Sequence, residues 1–260
     1  MFKKIWAWFK SLFSSGSTPK PVPTPKPKPT LPPNGLLLGI ANPWPSSWPQ
    51  MHFGDLADRM QENGLNFTQI ELDELGTVDK AVEFVNVMRK RGITTQIVQE
   101  NGNAPVVKKP VQYFKDKFDD LKRKLGSADL TIYQPVSEAG EAGDKDRVMA
   151  CIDYALDNWF AGGQTCLSAK FKWSQPFLSR VTYHEWHFCK DPTSANMYKG
   201  KKYICNTDCG ATLSLGHNEK RIRAAVQGAI KNNCHFLLYD GRVNDPRISY
   251  ESIFYLGMDF

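Results

Sequence analysis

No aspartate or glutamate occurs in residues 1–34, a segment that carries six lysines: Lys3, Lys4, Lys10, Lys20, Lys26 and Lys28. Those six charges equal the net charge of +6 for the whole chain, so the remainder balances at 27 basic against 27 acidic side chains. A folded part without excess base lacks the electrostatic footprint of a nucleic-acid-binding domain, and no nucleic-acid partner is expected. A glycine-rich phosphate loop is missing too: Ala41-Asn42-Pro43-Trp44-Pro45 follows the first strand-like run. That argues against an open, doubly wound dinucleotide-binding sheet. A secretory signal also fits poorly, because lysine and serine interrupt the N-terminal apolar run and no small-residue cleavage site follows it.

What the N-terminus does have is pattern. At helical spacing Phe2, Ile5, Trp6, Phe9, Leu12 and Phe13 share one arc, with Lys3, Lys4 and Lys10 opposite. Residues 1–13 read as a basic amphipathic helix about 20 Å long, too short for a hydrocarbon core of roughly 30 Å. It is expected to lie on a membrane surface or in a partner protein's groove, with Phe2, Lys3, Lys4, Ile5, Trp6, Phe9, Lys10 and Phe13 as its binding residues. Residues 14–34 form a linker in which proline recurs at almost every second position from Pro19 to Pro33. Such a segment is an extended spacer, on the order of 45 Å at about 3.1 Å per residue. Anchor and spacer together place the rest of the chain on a membrane or particle surface, with the domain outside it.

Residues 35–260 change texture. Strand-like runs are read at Leu36–Ala41, Asn66–Leu72, Thr94–Gln99, Leu130–Gln134, Thr165–Lys170, Val181–Trp186, Tyr203–Thr207 and His235–Asp240. Helical patterns are read at Phe53–Asn63, Val78–Arg91, Val111–Leu125, Asp144–Phe160, Asn218–Asn232 and Tyr250–Leu256, with short or absent helices after the fifth and sixth strands. Eight strands with intervening helices predict an α/β fold: a (β/α)8 barrel of the TIM type, somewhat degenerate.

In such a barrel the strand ends converge on one face. Glu138, just past the fourth run in Ala128–Glu141, is the residue on which a catalytic reading turns. Around it the strand ends supply Trp44, Trp48, Glu71, Gln99, Gln134, His184, Trp186, Asn206 and Asp240 as candidate substrate-binding residues. Carboxylates, amides and indoles suit a polysaccharide or other glycan: carboxylates do acid/base or nucleophilic work, and indole faces stack on pyranose rings. Two carboxyl groups suffice for hydrolysis, so no cofactor is expected.

With Glu138 in Gln134-Pro135-Val136-Ser137-Glu138 and His184 on the sixth strand, the chain resembles the cellulase-like superfamily of retaining (β/α)8-barrel glycoside hydrolases. The resemblance implies an acid/base glutamate after strand four, which Glu138 matches, and a nucleophile glutamate after strand seven. Ser137 stands where that family usually has asparagine, and the seventh run ends in Asn206-Thr207-Asp208. Asp208, or Glu185 of the sixth strand, is then the candidate partner of Glu138. A barrel that binds glycan without cleaving it, as a surface or viral-particle component, is the alternative.

Histidine and cysteine give a further one. His184, His187, Cys189, Cys205, Cys209 and His217 are of the types that hold zinc, which would make a zinc-dependent hydrolase. A disulfide joining Cys189 to Cys205 or Cys209 is preferred, then thiols, then zinc. Cys151, Cys166 and Cys234 read as buried thiols.

Overall fold

The computed structural model describes residues 35–41, 52–62, 64–102, 105–140, 144–169, 171–186, 199–206 and 226–239. The N-terminal amphipathic pattern, the proline-rich linker and the pattern at Tyr250–Leu256 lie outside the described residues.

All eight expected strands are present: β1 (Leu38–Ala41), β2 (Phe67–Glu71), β3 (Thr94–Asn101), β4 (Thr131–Ser137), β5 (Gln164–Ser168), β6 (Tyr183–Trp186), β7 (Tyr203–Asn206) and β8 (His235–Tyr239). They pair in parallel in chain order, and β1 closes on β8 with Leu38 opposite Phe236 and Ala41 opposite Tyr239. The result is a closed eight-stranded parallel barrel, as expected.

Alternation along each strand sorts the core into two layers. Ala41, Phe67, Ile132, Cys166, Ile204 and Leu237 cluster together inside the barrel. Leu38, Ile40, Ile70, Ile97, Tyr133, Leu167, Cys205 and Phe236 point the other way, into the layer beneath the helices.

The described helices are α1 (Phe53–Glu62), α2 (Leu72–Leu75), α3 (Val78–Arg89), α4 (Val111–Leu125) and α5 (Lys145–Asn158), with a helical stretch over 226–231 before β8. Helix α4 shows why they form where they do. Phe114, Phe118, Leu121 and Leu125 recur on one face and are buried, while lysine and arginine fill the last turn, where the helix dipole favours positive charge. Gly126 ends the helix in the left-handed conformation, at φ 69°, and donates to the Lys122 carbonyl. The buried face meets aromatic partners from β4 and the end of α5: Phe118 lies 5.4 Å from Tyr133 and 6.0 Å from Trp159, and Tyr133 stacks on Trp159 at 4.4 Å. Each such side chain contributes roughly 2 kcal/mol of burial. After β5 comes only a 3-10 segment, Lys172–Arg180, interrupted by Pro176, in line with the short connection expected there. Among the described residues no helix is long and apolar enough to cross a membrane.

Candidate functional site

Strand β4 ends at Ser137, and Glu138 begins the turn that follows. Its backbone is left-handed, at φ 51°, a conformation that a residue with a Cβ adopts at a cost of about 1–2 kcal/mol. The turn is fixed from both sides. Gly102 donates its N–H to the Ser137 carbonyl at 2.9 Å, and a Cβ on Gly102 would stand 2.4 Å from the Glu138 carbonyl oxygen. On the other side Gly140, at φ 123°, lies under the Trp173 indole, 3.7 Å from where its own Cβ would be. Only glycine lets the ends of β3 and β4 approach this closely. Glu138 itself is 7% exposed, so its carboxyl sits in a largely enclosed position at the C-terminal end of the strands. In parallel barrels that end carries the chemistry.

The second carboxylate faces the barrel axis. Glu185 of β6 alternates with His184 and shares the inward direction of Tyr183, which packs in the interior cluster. It is fully buried, and three neutral amides hold it. Gln69 Nε2 donates to Oε1 at 3.0 Å, Asn206 Nδ2 to Oε1 at 2.7 Å, and Gln96 Nε2 to Oε2 at 3.2 Å. The network continues from Gln96 Nε2 to Gln134 Oε1 at 2.7 Å and from Gln134 Nε2 to Ser168 Oγ at 3.1 Å. The β5–β6 register sets Glu185 beside Ser168, and the β4–β5 register, extended at its constant offset, sets Ser168 beside Val136. Glu138 therefore lies two strands from Glu185 and two residues, about 7 Å along the strand, nearer the C-terminal mouth.

The other expected site residues divide into three groups. Gln134 and Asn206 belong to the interior network, and Glu71 at the end of β2 accepts from Asn101 Nδ2 at 3.2 Å. Trp44, Trp48, Asp208 and Asp240 lie outside the described residues. Three placements differ from expectation, those of Gln99, His184 and Trp186. Gln99 is buried between strand and helix, where its amide donates to the Phe114 carbonyl at 2.9 Å and accepts from the Tyr133 hydroxyl. His184 points the same way: its register partner Leu167 belongs to the helix-facing layer, and its Nε2 meets the Leu178 carbonyl at 2.9 Å. Burial there holds the His184 imidazole below its ordinary pKa. A period of two explains the first two, since Gln99 and His184 each sit one residue out of step with the inward set. Trp186 shares that outward parity, opposite Cys205. Sequence reading missed Gln69, Gln96 and Ser168. The available signal was a polar residue at an inward position of a strand that is otherwise apolar.

The cysteines overturn one expectation. Cys151, Cys166, Cys205 and Cys234 are buried thiols and none is in a disulfide, so the Cys189–Cys205 bridge is not made. Cys205 sits in the apolar layer under the helices, which accommodates a small thiol. Burial pushes the Cys151 thiol up to about 12 and raises Cys166 as well, so neither is a thiolate at neutral pH. The Cys189–Cys209 pairing, His187 and His217 lie outside the described residues. Among the described residues no group of three or more histidine, cysteine, aspartate or glutamate side chains is arranged to hold a metal ion.

No family model matches the sequence, and no curated protein matches it. Solved structures do resemble it. A glycoside hydrolase family 5 enzyme from Prevotella bryantii superposes with a TM-score of 0.54 at 12% identity, covering 85% of this chain and 94% of its own. A beta-1,4-D-mannanase from Cryptopygus antarcticus gives 0.57 at 11% identity, over 85% of this chain and 89% of its own. A broad-specificity endoglucanase from Clostridium acetobutylicum gives 0.52 at 9%, over 79% and 87%. At such identities the likeness is one of fold, and the chain has the barrel architecture seen in family 5 glycoside hydrolases.

Proposed function

We propose that the chain is a glycoside hydrolase acting on a cell-wall or surface polysaccharide, with Glu138 as general acid/base. The observation that carries this reading is the position of Glu138: an enclosed carboxyl in a left-handed turn at the C-terminal end of β4, above a second inward carboxylate, Glu185. Three fold neighbours support it by what they are: an endoglucanase, a beta-1,4-D-mannanase and a structure solved in complex with cellotriose. Glu138 donates its proton to the glycosidic oxygen as the bond to the anomeric carbon breaks. Glu185, or Asp208, either forms the new bond to that carbon or takes a proton from the attacking water. If a covalent intermediate forms, water resolves it and returns a proton to Glu138.

The test is hydrolysis of a polysaccharide panel, including peptidoglycan, glucan and mannan, by the full chain and by Glu138→Gln. Hydrolysis by the wild type with a loss of at least about a hundredfold in the variant is expected. A variant that cleaves at the wild-type rate overturns the assignment. Retained anomeric configuration in the product assigns the second carboxylate as nucleophile, and inversion assigns it as base.

One observation favours a second reading. Strand β7 ends in Asn206, an amide engaged with Glu185, rather than in a carboxylate. Glycan binding without turnover accommodates that difference, and it predicts equal binding by the wild type and Glu138→Gln with no product from either.

A further inference from the structure

We infer that Gln69, Gln96 and Asn206 are positioning residues that together hold the Glu185 carboxylate as an oriented anion inside the barrel. The inference rests on the hydrolase reading, in which Glu185 is one of two candidates for the second carboxylate.

Six consecutive strands, β2 to β7, supply a belt of polar side chains to the interior: Gln69, Gln96, Gln134, Ser168, Glu185 and Asn206. All six are buried. A barrel interior is ordinarily filled by branched apolar side chains, so a polar belt at this level departs from what stability alone selects. The direction of its hydrogen bonds is more telling than its polarity. In all three amide contacts to Glu185 an N–H donates to a carboxylate oxygen, two to Oε1 and one to Oε2. The amide of Gln96 spends both its hydrogens, one on Glu185 and one on Gln134 Oε1. That of Asn206 donates to Glu185 and, at 3.4 Å, to Gln69 Oε1.

Turning Gln96 over would bring its oxygen against Glu185 Oε2 and Gln134 Oε1, setting acceptor against acceptor. The observed orientation avoids this but leaves Gln96 Oε1 buried with no donor among the described residues. A belt arranged for its own satisfaction would not strand that oxygen. One arranged to present donors to Glu185 would, because the neutral amides must all turn the same way. Amides suit this role, since they stabilise the anion by hydrogen bonds to its charged form without adding a cation that would compete for the substrate.

The experiment uses the full chain with Gln69→Met and Gln96→Met, which keep length and remove the donor, and Asn206→Asp, which keeps shape and reverses the amino group to an acceptor. Thermal melting checks that each is folded. On a polysaccharide that the wild type cleaves, kcat is expected to fall by about tenfold to a hundredfold with KM nearly unchanged, because the reacting atom is misplaced while substrate contacts persist. The 13C carboxyl resonance of Glu185 at neutral pH is expected to move in all three. Unchanged kcat in folded variants overturns the inference while the hydrolase reading stands. A rise in KM alone also overturns it, since that marks the amides as substrate contacts. If the wild type cleaves nothing, the hydrolase reading falls and the resonance decides: an unmoved signal removes the cradle too, and a shifted one keeps it as a feature of a binding barrel.

Discussion

Single residues decide more of this site than their types suggest, and parity along a strand is the deciding variable. Glu185 and Asn206 face the interior, whereas His184 and Gln99, equally polar and equally close to strand ends, face the helices. His235 shows the same rule in the core. Its Nδ1 accepts the Leu37 N–H at 2.9 Å, and its ring meets Tyr183 edge-on at 5.3 Å. Burial, with the Lys201 charge adding to it, lowers its pKa from 6.5 to about 4. The unfolded chain therefore binds a proton that the folded chain refuses between those values. The contribution is complete above pH 6.5, declines as pH falls toward 4, and amounts to about 3 kcal/mol of lost stability at the end of that window. His235→Asn, whose side-chain oxygen can replace Nδ1 as acceptor, is expected to flatten this limb in urea unfolding measured from pH 7 to 4. An unchanged slope would show that other groups carry it. The sequence places this histidine at the start of the eighth strand-like run. Its neutral state was not legible there, because that depends on the strand and backbone it meets.

Elements were the most legible level. Eight apolar runs separated by amphipathic ones are enough to give the strand order, and Asp144, where the fourth helical pattern begins, caps α5 by accepting from the N–H groups of Asp146 and Arg147. What sequence could not show is how the elements are locked to one another. Arg147, in the first turn of α5, donates Nη1 and Nη2 to the two Glu100 oxygens of β3 at 2.8 and 3.0 Å, and its Nε to the Lys109 carbonyl. Glu100 is 1% exposed and Arg147 9%. One guanidinium thus joins β3, the β3–α4 connection and α5, beside the turn that carries Glu138. Both partners look like surface charges when read singly, since they are 47 residues apart. Removing one strands the other, so Arg147→Ala is expected to cost about 3–5 kcal/mol in urea unfolding. The double variant Glu100→Leu with Arg147→Met should cost well under that sum, because no buried charge remains. Equal costs for the single and double variants would show that packing, and not the ion pair, is what Arg147 contributes.

At the scale of the whole molecule, charge and architecture are divided between two parts of the sequence. Closure of β1 on β8 follows from eight strands, and the balanced charge of residues 35–260 leaves the barrel without a long-range field to localise it. We propose that residues 1–13 bind an anionic membrane surface while the proline-rich linker keeps the barrel clear of it. The pattern supports this over a protein groove because three lysines oppose an arc containing Trp6 and three phenylalanines, the composition of an interfacial helix. Each lysine near an anionic leaflet is worth about 1 kcal/mol, so Lys3, Lys4 and Lys10 together supply on the order of 3 kcal/mol, or about a hundredfold in partitioning. Co-sedimentation of the full chain with vesicles containing phosphatidylserine is the measurement, with neutral vesicles as the control. Binding should fall about a hundredfold when all three lysines are changed to serine, and should weaken as salt is raised through 0.15 M, where charges beyond about 8 Å are screened. Trp6→Ala should weaken binding to both vesicle types alike, since it removes apolar contact and leaves the charge. Equal binding of wild type and triple-serine chain to anionic vesicles, or no binding by either, would sink the membrane proposal and leave the groove of a partner protein as the place for that apolar arc.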